Sequence, residues 1–397
     1  MTQWEAPVAE APLHAKVALP GSKSVAAREL ILSLLATGPS QLENLPDGRD
    51  TELMLAAIQA FGAVVDGETI TPPEKPRGGQ RVDCGLSGTV YRFGTAVAAL
   101  ANSPTEFFGD PGLADRPIQP LRDALAQLPA REITIDASAS SQFISALLLI
   151  GARLPDGLSL THVGPTLPSL PHIQMTNALL SERGVLVGQV RGQPSWIVPP
   201  GPIAGRKTSI EPDLTNTATF LAAALAAGGM VTSRWPLDTV QPAGPLIAVL
   251  QAFQAAVTGT STLSVSSSGE FPGVELDLHD ISEFTPVAAA LAALATSPSQ
   301  LRGIGHVRGH ETDRLAALAE MLTAVGAKAR ITADGLAITP GKLRAATVKS
   351  HGDHRLVHAA ALLGLRVPGI VVDDVAAVTK TIPDFTSRWE VMAHSAH

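Results

Sequence analysis

Six stretches of this chain begin alike and continue alike, and that recurrence limits the fold more than any single residue does. Each opens with small or polar residues, runs into an Ala/Leu-rich helix, breaks at Gly or Pro and resumes as a short strand. The openings are GSKS at 21, LSGT at 86, SSQF at 140, PDLTN at 212, SEFTP at 282 and GDHR at 352. Their helices include RELILSLLATG, ISALLLIGA, FLAAALAAGG and VHAAALLGL. A second helix type lies between them: DTELMLAAIQAFGAVV returns as ETDRLAALAEMLTAVGAKA about 260 residues later. A period of about 70 residues predicts a supersecondary unit of two helices and several strands, stacked to share a core. The interval from LSGT to SSQF is only about 54 residues, against about 65–73 elsewhere. After DALAQL the chain passes almost directly to REITID, so a strand pair is expected to be missing there.

At 397 residues the chain is too long for one ordinary core, and 45% hydrophobic content is ample for two. A net charge of −7 with no Lys/Arg run disfavours nucleic acid and anionic membranes as partners. No apolar run approaches the ~18 residues of a membrane span. No basic segment leading into an apolar one opens the chain, so a cytoplasmic protein is expected. The single cysteine, Cys84, excludes an internal disulfide and a Cys-based zinc cluster.

Helices that begin with Ser, Thr, Gly or Asp leave N–H groups and partial positive charge at their N-termini, which suits an anion. Ordinary capping explains the same residues. Several openings and turns also carry cations that capping does not need: Lys23, Arg28, Arg116, Arg314, Arg355 and Lys380. GSKS is not a Walker loop, because Ser22 separates Lys23 from the glycine. HETDR, at 310–314, resembles the start of a zinc helix, but its fifth position is a guanidinium that cannot coordinate metal. Three readings of that stretch remain: an acidic first turn, a remote metal possibility through His306, or Glu311 set among cations with Arg314 gripping an anion. Taken together, the cations suit a cleft for a multiply anionic small substrate.

The motifs LPGSKS…R, SGT, RPIQPL, SSQF, HETDR, DHR and TKTIPDF, in that order, resemble the EPSP synthases of the enolpyruvyl transferase family, over about residues 18–390. The GHETDR and DLTN forms look like the actinobacterial branch. The resemblance implies an α/β (α+β) fold, a two-domain inside-out α/β barrel of six β-α-β-α-β-β units with the third interval shortened. It implies an N-terminal lobe over 21–211, a C-terminal lobe from 1–20 and 212–397, and an active site in the cleft between them. The implied reaction joins phosphoenolpyruvate to the 5-hydroxyl of shikimate 3-phosphate and expels phosphate, with no metal or organic cofactor, in a monomer. Lys23, Ser24, Arg28, Ser140, Ser141, Gln142, Ser169, Glu283 and His310 would bind shikimate 3-phosphate. Lys23, Gly88, Arg116, Gln142, Arg314, Arg355 and Lys380 would bind phosphoenolpyruvate. Lys23 would also be catalytic, Glu283 would take the attacking hydroxyl's proton, and Glu311 would be the proton donor to the methylene carbon.

Departures from the family pattern are Ala27 where it has Asn, His310 where many members have Lys, Glu283 where many have Asp, and His358 where Met or Ala is usual. Such departures also fit a paralogue acting on another hydroxylated anionic acceptor in specialised metabolism. The wall-synthesis transferase on UDP-N-acetylglucosamine is a rival that the loop GDPGLADRP alone does not separate. A non-catalytic anion-binding homologue is a third reading, against which the retention of both Glu283 and Glu311 argues.

Overall fold

Helices that are apolar nearly all round have to lie inside, and the runs after the repeat openings do so. The computed structural model describes residues 2–190 and 192–395, which fall into two units. One is Gly21–Glu211; the other joins the N-terminal segment up to Pro20 to the chain from Pro212 onward.

Within Gly21–Glu211 the interior helices are Lys23–Leu34, Gly88–Ala98 and Gln142–Gly151, which pack on one another. Small sheets surround this core, each burying one face, as the alternation along Glu132–Ile135 shows. Ser40–Glu43 pairs in parallel with Lys207–Ser209 and antiparallel with Thr69–Thr71, which continues to Val64–Asp66. Leu158–His162 repeats the arrangement with Glu132–Ile135, Ser195–Val198 and Gly188–Gln189. Between these two sheets in sequence, Glu106–Phe108 pairs in parallel with Arg81–Asp83 and, among the described residues, has no antiparallel hairpin. Helix Gln119–Leu125 leads directly to strand Glu132–Ile135, where the sequence interval shortens.

The other unit has the same plan. Its interior helices are Leu214–Leu221 with Ala223–Ala227, Thr285–Leu294 and His354–Gly364, and every residue of the last two is buried. Runs of alanine let them approach closely, and a Cβ on Gly364 would fall 2.3 Å from that of Ala6. Strand Leu13–Val17 lies parallel to Gly229–Arg234, so the N-terminal segment completes a sheet of this unit. Phe220, Phe385 and Trp389 form an aromatic cluster with centroids 5.0–5.7 Å apart. Ser22, Ser87, Asp213 and Asp353 each cap their helix by accepting from a backbone N–H of the first turn. The SEFTP opening behaves differently. A 3₁₀ turn, His279–Phe284, precedes the helix, and Thr285–Pro286 supply its first residues.

A buried ion pair ties Gly21–Glu211 together. The Arg183 guanidinium donates to Glu29 Oε2 at 2.5 and 3.0 Å, to Ser33 and Ser40 hydroxyls at 3.0 and 3.1 Å, and to the Ala204 carbonyl at 2.9 Å. Arg183→Met leaves the buried Glu29 carboxylate to Arg206 alone, whose Nη1 is 3.5 Å from Oε1. Denaturant unfolding should show a loss of about 3–5 kcal/mol, and a midpoint unchanged from wild type would contradict a supporting role for the pair.

Candidate functional site

In Gly21–Glu211, the openings of all three interior helices bear candidate residues. Ser22 caps the first helix, which places Lys23 in its first turn, where Nζ meets Asp50 Oδ2 at 3.0 Å. Ala27, Ser87 and Thr89 line the same small cleft as this pair. The Ser24 carbonyl accepts from Arg28 Nη1 at 2.9 Å. Arg28 also donates to Thr176 Oγ1 at 2.7 Å, to the His172 carbonyl at 3.1 Å and to Ser145 Oγ at 3.3 Å. All these acceptors are neutral. Burial pulls the Arg28 guanidinium down to about 9, still charged at neutral pH.

Arg116 is set against the second helix so closely that a Cβ on Gly88 would lie 2.5 Å from its Nη2. Its Nε and Nη1 are buried without a hydrogen-bond partner. Arg92, in the same helix as Gly88, donates to Gln142 Oε1 at 2.8 Å and to the Pro117 carbonyl at 3.1 and 3.2 Å. Burial, and secondly the charge of Arg116, bring Arg92 down to about 9. Gln142 reaches Thr89 Oγ1 at 3.4 Å, and its backbone N–H donates to Ser140 Oγ at 3.3 Å. Ser141 is buried at the N-cap of the third helix, Gln142–Gly151. Ser169 adopts a left-handed φ of +53° at the start of helix Leu170–Glu182, a strain that surrounding structure must hold. Among the described residues, no carboxylate lies within ion-pair distance of Arg28, Arg92 or Arg116. Buried donors arranged in this way suit an incoming anion.

The second set lies in the other unit and is built around Arg314, at the first position of helix Arg314–Ala324. Its guanidinium donates to Asp353 Oδ2 at 2.7 Å, to Glu283 Oε2 at 2.9 Å and to His310 Nδ1 at 2.8 Å. Because arginine only donates, His310 Nδ1 accepts and the ring presents no proton to it there. Burial works to depress Arg314, but Asp353, Glu283 and Glu311 raise it above its ordinary value. Arg355 donates to Asn216 Oδ1 at 3.3 Å and places Nε 3.6 Å from Glu283 Oε2. Glu311 pairs with Lys380 and lies 3.3 Å from His354 Nδ1. Burial pushes the Glu311 carboxyl up, yet Lys380, His354 and Arg314 together hold it well below the ordinary range. Here three carboxylates face three cations, so the set is balanced where the first is not.

Glu311, Asp353 and His354 bring ligand atoms within 4.8 Å of one another, a spacing compatible with a metal ion. The chemistry is unfavourable to one, because Arg314 already holds Asp353 and Lys380 already holds Glu311. A divalent ion would stand against both cations.

Lys23, Ser24, Arg28, Gly88, Arg116, Ser140, Ser141, Gln142 and Ser169 thus lie in one unit, and Glu283, His310, Glu311, Arg314, Arg355 and Lys380 in the other. The sequence reading passed over Asp50, Arg92, Thr176, Asp353 and His354. The signal for Arg92 was a lone cation in an otherwise apolar helix; the signal for Asp353 and His354 was the DHR motif itself.

Comparison with known proteins adds to this geometry. The family model described as EPSP synthase (3-phosphoshikimate 1-carboxyvinyltransferase) matches residues 8–131 and 127–389. The chain is 44% identical to a 3-phosphoshikimate 1-carboxyvinyltransferase of Mycobacterium ulcerans (strain Agy99), over 99% of this chain and 98% of that one. Among solved structures, EPSP synthase from Acinetobacter baumannii superposes with a TM-score of 0.77 at 22% identity, covering 98% of both chains. The enolpyruvyl transferase NikO from Streptomyces tendae gives 0.71 at 18% identity, covering 97% of this chain and 96% of that one. At these identities the two structures speak to the fold alone.

The Glu311–Lys380 pair generates a test by pH. With its carboxyl depressed, Glu311 contributes stability above the unfolded value of about 4.3, lost as pH falls through the folded value. Lys380→Met removes the first of the cations that depress Glu311 and leaves His354 and Arg314, so the folded pKa rises from its wild-type value. The variant should therefore lose stability relative to wild type as pH rises through the two folded values, and the two proteins should converge in acid. Thermal midpoints across about pH 2–8 check this; parallel curves would show that Lys380 does not govern Glu311.

Proposed function

The chain belongs to the EPSP synthase family, the 3-phosphoshikimate 1-carboxyvinyltransferases, and on that premise we propose how its two residue sets divide the work. The enzyme transfers the enolpyruvyl group of phosphoenolpyruvate to the 5-hydroxyl of shikimate 3-phosphate and releases phosphate, a step of the shikimate pathway toward chorismate and aromatic amino acids. Lys23, Ser24, Arg28, Ser140, Ser141, Gln142 and Ser169 hold shikimate 3-phosphate, with Glu283 and His310 at its reacting side. Gly88, Arg116, Gln142, Arg314, Arg355 and Lys380, with Lys23, hold phosphoenolpyruvate. The observation that carries this reading is that Arg28 and Arg92 are buried, and Arg116 half-buried, with no carboxylate partner among the described residues, since both substrates bring the missing negative charge. The acyclic donor fits beside Arg116 because Gly88 has no side chain to displace it.

Glu283, held 2.9 Å from Arg314 Nη1 and 3.6 Å from Arg355 Nε, takes the hydroxyl proton as that oxygen bonds to C2 of the donor. Glu311 supplies a proton to the methylene carbon. In the arrangement described it is ionised against Lys380, so it becomes an acid when the donor's anionic groups draw Lys380 away and burial dominates. A methyl proton returns to Glu311 as the double bond re-forms, and phosphate leaves with the proton that Glu283 took from the hydroxyl. The same reading takes the protein to be a cytoplasmic monomer that needs no metal or organic cofactor. Among the described residues no helix is long and apolar enough to cross a membrane.

Purified protein should release inorganic phosphate only when both substrates are present, with a chelator making no difference. Phosphate release that requires a different hydroxylated acid would reject shikimate 3-phosphate as the acceptor. Glu311→Gln keeps shape but cannot transfer a proton, so turnover should fall on the order of 10²-fold or more while acceptor binding survives. Near-normal turnover in that variant would remove Glu311 from the mechanism.

A further inference from the structure

We propose that Arg92 is a positioning residue for the donor side of the site: it fixes which end of the Gln142 carboxamide meets the anion. The inference rests on the functional reading above, in which Gln142 contacts phosphoenolpyruvate, and adds a residue to which no role has been given.

Arg92 is 3% exposed and lies over the Phe143 ring at 5.2 Å, so packing limits where its guanidinium can turn. Two of its nitrogens are committed to the Pro117 carbonyl, at 3.1 and 3.2 Å. The remaining terminal nitrogen meets Gln142 at 2.8 Å. A guanidinium has donors and no acceptor, so the atom of Gln142 facing it has to be the oxygen, whichever way the amide is otherwise drawn. The two N–H donors of Gln142 are thereby turned to the opposite side, toward Thr89 in the helix that also carries Gly88. A free carboxamide could turn by half a revolution and present its oxygen to an anion, a repulsive contact. Arg92 removes that choice before the ligand arrives, which is how preorganisation strengthens binding.

Its hold on Pro117 serves the same region, since Pro117 follows Arg116, whose Nε and Nη1 have no partner. The inference nevertheless commits to action through Gln142. That commitment separates it from a general structural role, because two residues acting through one contact are non-additive.

The full chain is compared as wild type, Arg92→Met, Gln142→Ala, the double variant and Arg92→Lys, reading the KM of each substrate separately. Arg92→Met should raise the KM for phosphoenolpyruvate about 10-fold or more, the scale of a hydrogen bond to a charged group, and Gln142→Ala should show the same pattern across both substrates, since Gln142 is placed at each. The double variant should be no more than about two-fold worse than the worse single one. Arg92→Lys, which retains a donor toward Gln142, should recover most of the loss, and it carries the comparison if Arg92→Met does not fold. An unchanged KM for phosphoenolpyruvate in Arg92→Met, multiplying single effects, or a Lys variant as poor as Met would each overturn the proposal. If wild type shows no phosphate release, the functional reading fails by itself. The same variants are then compared for phosphoenolpyruvate binding by calorimetry, where loss of the Arg92–Gln142 coupling overturns the positioning role.

Discussion

An arginine side chain keeps its charge almost anywhere, so burying one obliges the fold to supply an acceptor for every donor. The unit Gly21–Glu211 meets this demand for some of its arginines and leaves it open for another. Arg183 is matched by a carboxylate and neutral acceptors together, and it acts as a structural tie. Arg28 and Arg92 have only neutral oxygens, and Arg116 keeps two donors unmatched. Burial lowers Arg28 and Arg92 to about 9, with no carboxylate beside them to offset the lost hydration. Such an imbalance is tolerable because neutral dipoles solvate the charge partly, and it becomes favourable once an anion is bound.

The other unit solves the opposite problem. Three of its carboxylates, Glu283, Glu311 and Asp353, are gathered in one region, and like charges repel. Arg314 makes the arrangement stable by bonding Asp353 and Glu283 at once, with Asp353 also capping the helix that carries Arg355. One aspartate therefore orients two arginines from two different helices. Glu283 and Glu311 then differ by their neighbours: one is flanked by guanidinium groups that cannot move far, the other by a flexible ammonium. A lysine on its flexible stem can leave its carboxylate when a better anion arrives, whereas a guanidinium bonded at several nitrogens stays in place.

Much of this was legible in the sequence because it depends on local rules. The interior helices were visible in ISALLLIGA and VHAAALLGL, which have no polar face, and the missing hairpin was visible as a short interval before REITID. Lys23, Arg314 and Lys380 stood out beside Gly- and Ser-rich turns. Arg92 did not, because a single arginine in VYRFG reads as a solvated surface cation until burial is known. Asp50 was hidden for another reason: it is 27 residues from Lys23, and nothing in DTELM announces which cation it will meet. Nor could spacing show that His310 accepts from Arg314, a matter of ring orientation.

The two-stranded sheet has a further meaning for how freely this protein can change length. Phe108, at the end of the strand left without a hairpin, is covered by the Arg81 guanidinium at 4.8 Å, and Arg81 also pairs with Glu106 across the strands. Charge thus guards an edge that would otherwise invite another strand. Helix Gly88–Ala98 remains buried against neighbouring helices rather than against the absent hairpin. The outer layer here is therefore separable from the layer that bears the site. The turn between Leu125 and Glu132 is a place where evolution, or an engineer, can add or delete a whole hairpin while the Gly88 and Gln142 helix starts stay where they are.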